Sequence, residues 1–398
     1  MNASNWFTFS AHLILLFQSG FLAHALLDPV DFLALQSIRM RLDDLPGSDY
    51  FASWDFTADP CGFGGVYCDG DRVIALNLGD PRAGSPGLTG RLDSAIGNLS
   101  ALAELTIVQG RIMGSLPGTI SQLKFLRFLA ISHNFISGEI PTSLGELRGL
   151  QTLDLSFNQL TGSIPFSIGS LPALSNAILC HNRLTGPVPP FASQTLTRLD
   201  LKHNNISGPL PTLGLPLSIQ YLSLSMNLLT GPVDTVLSGL DQLNYVDLSM
   251  NRFAGSIPVS LFSFPISSLQ LQRNQFSGPV QPVGQVTITT VDLSYNRLSG
   301  GISPMFSSVQ NLYLNNNRFT GVVPGCIVDR LLAADIQTLY LQHNYLSGIG
   351  INPTVEIPLS SSLCLQYNCM VQPIQAPCPL KAGPDKSRPT SQCIEWKG

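Results

Sequence analysis

The chain is 398 residues long, enough for two or three ordinary domains. Charged residues are 12% of it and hydrophobic residues 44%, yet no stretch reaches the roughly 18–20 unbroken apolar residues that a membrane-spanning helix needs. The net charge of -4 provides no basic patch for nucleic acid and no strong electrostatic steering.

At the front, an apolar run from Ala11 to Leu16 continues past Gln18-Ser19-Gly20 to Leu22, and Ala23-His24-Ala25 fits the small-x-small cleavage rule. Residues 1–25 are expected to be a secretory signal peptide, although no Lys or Arg precedes the apolar run. Residues 26–72 read as a cap. Phe32, Leu35, Ile38 and Leu42 follow Asp31 near helical spacing, and Trp54 and the Cys61/Cys68 pair come next. This predicts a short amphipathic helix with a disulfide loop.

Residues 73–348 repeat themselves. The clearest unit runs Leu150-Gln-Thr-Leu153-Asp-Leu155-Ser-Phe-Asn158-Gln-Leu160-Thr-Gly162-Ser-Ile164-Pro165. Its asparagine recurs at Asn134, Asn158, Asn182, Asn204, Asn227, Asn251, Asn274, Asn296, Asn317 and Asn344, mostly 22–24 residues apart. Two earlier copies carry Pro86 and Gly110 in its place, which makes about twelve turns. In Leu153-Asp154-Leu155 the period of two marks a half-buried strand. Twelve such strands side by side give a parallel sheet roughly 55 Å long. The asparagine falls where the chain leaves the strand, so an inward amide satisfies backbone groups of its own and neighbouring turns. Gly138, Gly162 and Gly186 allow the bend that follows, and Ile-Pro pairs such as Ile140-Pro141 are extended. One turn cannot bury its apolar face alone; stacking does so, and the two ends need caps.

Residues 349–398 leave the repeat, carry Cys364, Cys369, Cys378 and Cys393, and end in a polar tail. Cysteines crowded at both ends suggest disulfides stapling the caps in an oxidising compartment. The rear spacings are irregular and contain no CxxC, which argues against zinc. Cys180 and Cys326 lie several turns apart, too far to bond in a regular solenoid.

The pattern LxxLxLSxNxLxGxIP, nearly intact in Leu126–Pro141, Leu150–Pro165 and Leu243–Pro258, resembles the plant-specific class of extracellular leucine-rich repeats. Asp31-Phe-Leu-Ala-Leu35, Trp54, Asp59-Pro60-Cys61 and Gly65-Val66-Tyr67-Cys68 resemble that family's N-terminal cap. The resemblance covers roughly residues 28–370. It implies an α/β solenoid: a right-handed leucine-rich-repeat superhelix of about twelve turns, with a parallel concave β-sheet and disulfide-stapled caps. It also implies the extracellular part of a receptor-like protein, or a stand-alone relative such as a polygalacturonase inhibitor. Those inhibitors have fewer repeats and a four-cysteine front cap, whereas this one has two cysteines. After Gly231, Gly278 and Gly300 the Ile-Pro step is replaced, and the secondary strand is expected to weaken there.

In such a solenoid the variable strand residues face outward on the concave side. Aromatic, Met and Arg side chains exposed together mark interfaces. Phe128, Phe157, Arg198, Tyr221, Tyr245, Met226 and Met250 are therefore the candidate ligand-binding residues. The Leu-Asp-Leu aspartates are the family's common wording and carry less weight. His181 and His203 fall on adjacent strands, but no third ligand accompanies them, so no metal is expected. Asn98-Leu-Ser100 and Asn205-Ile-Ser207 are glycosylation sequons, Asn98 on the convex side and Asn205 nearer an edge.

There is no HExxH, P-loop, GxSxG elbow or protein-kinase motif, and the residues from 349 onward are too few for a kinase domain. No catalytic residue and no cofactor are expected. The chain reads as a secreted recognition module of the apoplast, cell wall or outer face of the plasma membrane. Its expected partners are an extracellular protein, peptide or cell-wall polysaccharide, with a receptor-kinase ectodomain as a candidate co-partner. An inhibitor of a pathogen's wall-degrading enzyme and a structural wall protein are the alternatives.

Overall fold

The computed structural model describes residues 27–79, 86–211, 215–372, 378–379 and 387–394. The expected signal peptide lies outside the described residues. The cap begins with a helix, Pro29–Arg41. Its start is fixed by Asp28, whose carboxylate accepts from the backbone N–H of Val30 and Asp31, and by Pro29 in the first turn. Ala34, Leu35, Ile38 and the following Leu42 are buried, which gives the inward face that their spacing predicts. Trp54 packs with Phe51, Phe56 and Phe63, and its indole N–H donates to the Gly64 carbonyl. The Cys61–Cys68 disulfide closes the loop before the hairpin of Val66–Asp69 and Arg72–Leu78.

From that hairpin a fourteen-stranded sheet extends, parallel at every pairing after the first. Its inward apolar residues fall in register, as in Leu129, Leu153 and Ala177. The asparagines do what the sequence predicts. Asn158 Oδ1 accepts from the Ile136 N–H, and its Nδ2 donates to the carbonyls of Ile131 and Leu155. Asn251 repeats the arrangement on Leu229, Leu224 and Leu248. Each amide thus joins adjacent turns through groups that would otherwise be buried unpaired.

The residue before each asparagine takes a left-handed conformation, φ 52° at Phe157 and 54° at His181. Side chains avoid this region at a penalty of about 1–3 kcal/mol each. The turn sustains it because the N–H of Phe157 and of Asn158 both donate to carbonyls of the next turn, Cys180 and His181. On the convex side short 3₁₀ segments such as Thr142–Glu146 bury Leu144 and Leu147. Among the described residues no helix is long and apolar enough to cross a membrane.

Two sequence expectations are corrected. The secondary strands persist in the turns of Gly231, Gly278 and Gly300, since residues 228–231, 275–279 and 297–300 belong to one seven-stranded sheet. Backbone pairing between turns does not require the Ile-Pro step. The interruption falls earlier, between Gln159–Thr161 and Ser207–Gly208, where a single Ser163–Thr185 bridge remains. The repeat also runs one turn beyond 348. Ser362–Cys364 adds a strand, and Asn368 accepts from the Leu346 N–H and donates to the Leu341 carbonyl. Leu363-Cys-Leu365-Gln-Tyr-Asn368 is the repeat wording with a cysteine where aspartate is usual. Cys364 bonds Cys378, and Cys369 bonds Cys393.

Candidate ligand-binding face

The concave strands carry their outward residues in columns. Register places Phe128 beside Thr152, then Asn176, Arg198, Tyr221 and Tyr245 in succession. In a twisted parallel sheet, neighbours in one column stand about one strand spacing apart, which is stacking distance for flat groups. The Tyr221 and Tyr245 rings lie parallel, 4.4 Å between centroids and 6° between planes. Arg198 continues the stack with its guanidinium 4.4 Å from the Tyr221 centroid. The same guanidinium donates to the Asp200 carboxylate at 3.3 Å.

In the next column Asp200 and Ser223 are fully buried although they belong to the outward side of the strands, in register beside Asp247. Burial raises the Tyr221 pKa, and burial followed by the Asp247 charge pushes Tyr245 up to about 12. Both phenols therefore stay protonated donors at any physiological pH. Asp154 and Asp292 turn back on their own chains, each accepting from the N–H and hydroxyl of the serine two residues on. Their role is in the turn, as the low weight given to the aspartate column anticipates.

Phe157, Met226 and Met250 stand apart from this stack. All three occupy the left-handed position before the asparagine, so they form a rim at the strand ends. There His133, Phe157, His181 and His203 make a continuous ladder of parallel rings, with centroids 4.1, 4.1 and 4.3 Å apart. The His181 pKa is lowered first by burial, then by the His203 and Lys202 charges. Among the described residues no group of three His, Cys, Asp or Glu could hold a metal.

The seven candidate residues thus divide into a strand-column stack (Arg198, Tyr221, Tyr245), a rim set (Phe157, Met226, Met250), and Phe128, which Thr152 and Asn176 separate from Arg198. His133 and Asp200 join these clusters without having been singled out in the sequence. The signal available for His133 was its place in the same pre-asparagine column as Phe157 and His181. At the far end of the sheet Tyr313 and Tyr340 pack edge to face at 5.1 Å. Asn98 is exposed at the end of a convex 3₁₀ segment, and Asn205 is exposed just beyond the rim residue His203.

Comparison with known proteins agrees with this architecture. Residues 28–69 match the Leucine rich repeat N-terminal domain, and residues 125–147, 149–171, 287–309 and 308–329 match the Leucine Rich Repeat. A second Leucine Rich repeat pattern matches residues 192–209. Among solved structures, PEPR1–AtPEP1 is similar over 85% of this chain and 52% of its own, at 28% identity and a TM-score of 0.68. The plant peptide hormone receptor RGFR1 in complex with RGF2 is similar over 71% of this chain and 54% of its own, at 29% identity and a TM-score of 0.61. A plant ice-binding protein is similar over 84% of this chain and 99% of its own, at 27% identity and a TM-score of 0.57. The match therefore spans about half the length of the first two of these chains and nearly all of the third.

Proposed function

We propose that this chain is an extracellular leucine-rich-repeat protein of the plant class that binds a protein or peptide ligand on its concave face, without chemistry of its own. The observation that carries the reading is the Arg198–Tyr221–Tyr245 stack on the concave strands. Aromatic and arginine groups held in place lose little side-chain entropy on binding, which is how such residues come to dominate interfaces. The rim rings and methionines beside it extend the apolar surface, while the phenol hydroxyls and Arg198 supply directional hydrogen bonds.

Support comes from two neighbours, PEPR1–AtPEP1 and a plant peptide hormone receptor in complex with RGF2. The proposed setting is the apoplast or the outer face of the plasma membrane, reached by secretion. A receptor-kinase ectodomain is the proposed co-partner that would pass the signal on.

The test is affinity capture from plant extracellular fluid with the glycosylated protein, followed by binding of the captured ligand to a Tyr221→Ala/Tyr245→Ala variant. Weaker binding with nearly unchanged thermal unfolding is expected. Undiminished affinity in that variant removes the concave assignment. Capture of a wall-degrading enzyme whose rate falls on binding would instead favour the inhibitor reading, and a need for salt or chaotrope to extract the protein would favour a wall role.

A further inference from the structure

Of the asparagines that join the turns, only two are followed by an aromatic residue, Asn134 by Phe135 and Asn344 by Tyr345. A histidine precedes both, so the wording is His133-Asn134-Phe135 and His343-Asn344-Tyr345. The two histidines share the left-handed conformation, φ 54° and 59°. The next turn supplies a second ring at the same rim position, Phe157 or Tyr367, and the histidine packs against it. The secondary strands match as well. Phe135 opens Phe135–Glu139 and pairs with Met113, two residues after Arg111. Tyr345 opens Tyr345–Ile349 and pairs with Thr320, two residues after Arg318. The solenoid thus carries one aromatic cradle twice, near its two ends.

The C-terminal copy is filled by the chain's own tail. Arg388 holds its guanidinium 3.9 Å from the Tyr345 centroid and 4.7 Å from that of Tyr367. Its Nε donates to the Asn344 carbonyl at 2.9 Å, and its backbone N–H donates to the Asn368 carbonyl at 2.8 Å. Pro389 follows and keeps the Arg388 backbone extended. A guanidinium gains here twice: its flat face meets a ring and its N–H edge meets a carbonyl. The Cys369–Cys393 bridge ties this segment to the end of the solenoid.

In the N-terminal copy the rings are uncovered, Phe135 being 45% exposed and Phe157 39%. The carbonyls of Asn134 and Asn158 take the places of those of Asn344 and Asn368. The N–H groups of His133 and Asn134 are accepted by Ser156 and Phe157, and those of Phe157 and Asn158 by Cys180 and His181. That ladder leaves the asparagine carbonyls to other donors. Phe157 is stacked between His133 and His181, so the face of Phe135 carries the contact. Beside Phe135 lies a cavity of about 510 Å³, lined also by Leu45, Pro46, Pro86 and Arg111, with room for flanking residues. Arg111 does not bar a second guanidinium, since Arg318 holds the same register place beside the cradle that Arg388 fills. We propose that the His133-Asn134-Phe135 turn is a docking site for an arginine of a partner polypeptide, presented on an extended segment as Arg388 is. The site is separate from the Arg198–Tyr221–Tyr245 stack, and the tail's own arginine is held at the other end of the solenoid.

The probe is a peptide of the tail sequence Ser387–Gln392, acetylated and amidated at its ends, measured against the full secreted chain by equilibrium dialysis. Wild type is expected to bind about one peptide, and Arg388→Ala, which vacates the second cradle, about two. Phe135→Leu keeps an apolar side chain at an exposed position and should weaken binding to wild type's open site about tenfold. A peptide with lysine in place of the arginine should bind about threefold more weakly, and one with neutral citrulline about tenfold. Tyr221→Ala/Tyr245→Ala should retain full affinity, which separates this site from the concave one. If Phe135→Leu fails to fold, the lysine and citrulline peptides decide. No binding to wild type, full affinity in folded Phe135→Leu, or equal binding of the citrulline peptide overturns the proposal. Binding lost in Tyr221→Ala/Tyr245→Ala also overturns it and assigns the arginine to the concave stack.

Discussion

The carboxylate of Asp31, wholly buried in the cap helix, is held by two hydrogen bonds from the Arg72 guanidinium at the start of the first repeat strand, 3.0 and 2.9 Å long. A third bond comes from the Val73 N–H. This one side chain couples the cap to the parallel sheet, and the Arg72 pKa is raised chiefly by that bond.

Replacing Asp31 with Asn should therefore destabilise the N-terminal end by about 2 kcal/mol, because a buried amide cannot accept all three hydrogen bonds from Arg72 and the Val73 N–H. Hydrogen exchange should show the loss in the first turns, with the distant repeats little changed, since repeat arrays couple mainly to their neighbours. Uniform protection along the whole chain in the variant would contradict this coupling.

Asn251→Ala removes an acceptor for the Leu229 N–H and a donor to the Leu224 and Leu248 carbonyls, all buried. A loss of about 2 kcal/mol is expected, read as a lower denaturation midpoint. Arg252→Ala at the neighbouring exposed position serves as the control and should fall within about 0.5 kcal/mol of wild type.

The pH dependence follows from His181 and His343, whose pKa values are both lowered, first by burial and then by His203 or Arg388 respectively. A lowered value means that the folded chain binds fewer protons than the unfolded one once pH falls through about 6.5. Stability contributed above that pH is then lost progressively, until the folded-state value is passed. Urea midpoints at successive pH values should fall more steeply below pH 6.5 in wild type than in His181→Gln/His343→Gln. Identical slopes would show that neither ring is protected from protonation.

Most of the fold was legible because its signals are local and repeated. The spacing of Asn134, Asn158 and Asn251 identifies the turn, and each amide bonds the backbone as its position demands. The turn at Asn368 was hidden by Cys364, which substitutes a disulfide for the usual aspartate and reads as cap chemistry. The candidate face was half legible. Columns place Arg198, Tyr221 and Tyr245 together, but the left-handed backbone that sends Phe157, Met226 and Met250 to a separate rim is a property of the folded turn.

The sequence by itself determined the coil: its period, its inward leucines, its asparagine spine and the apolar face of its cap helix, since each depends on residues within one turn. Tertiary structure alone decided what neighbouring turns build together, from the His133-to-His203 ladder to the pairing of the rear cysteines and the docking of Arg388 on Tyr345. Those contacts join residues of different turns, brought to stacking distance by the spacing of strands in the sheet.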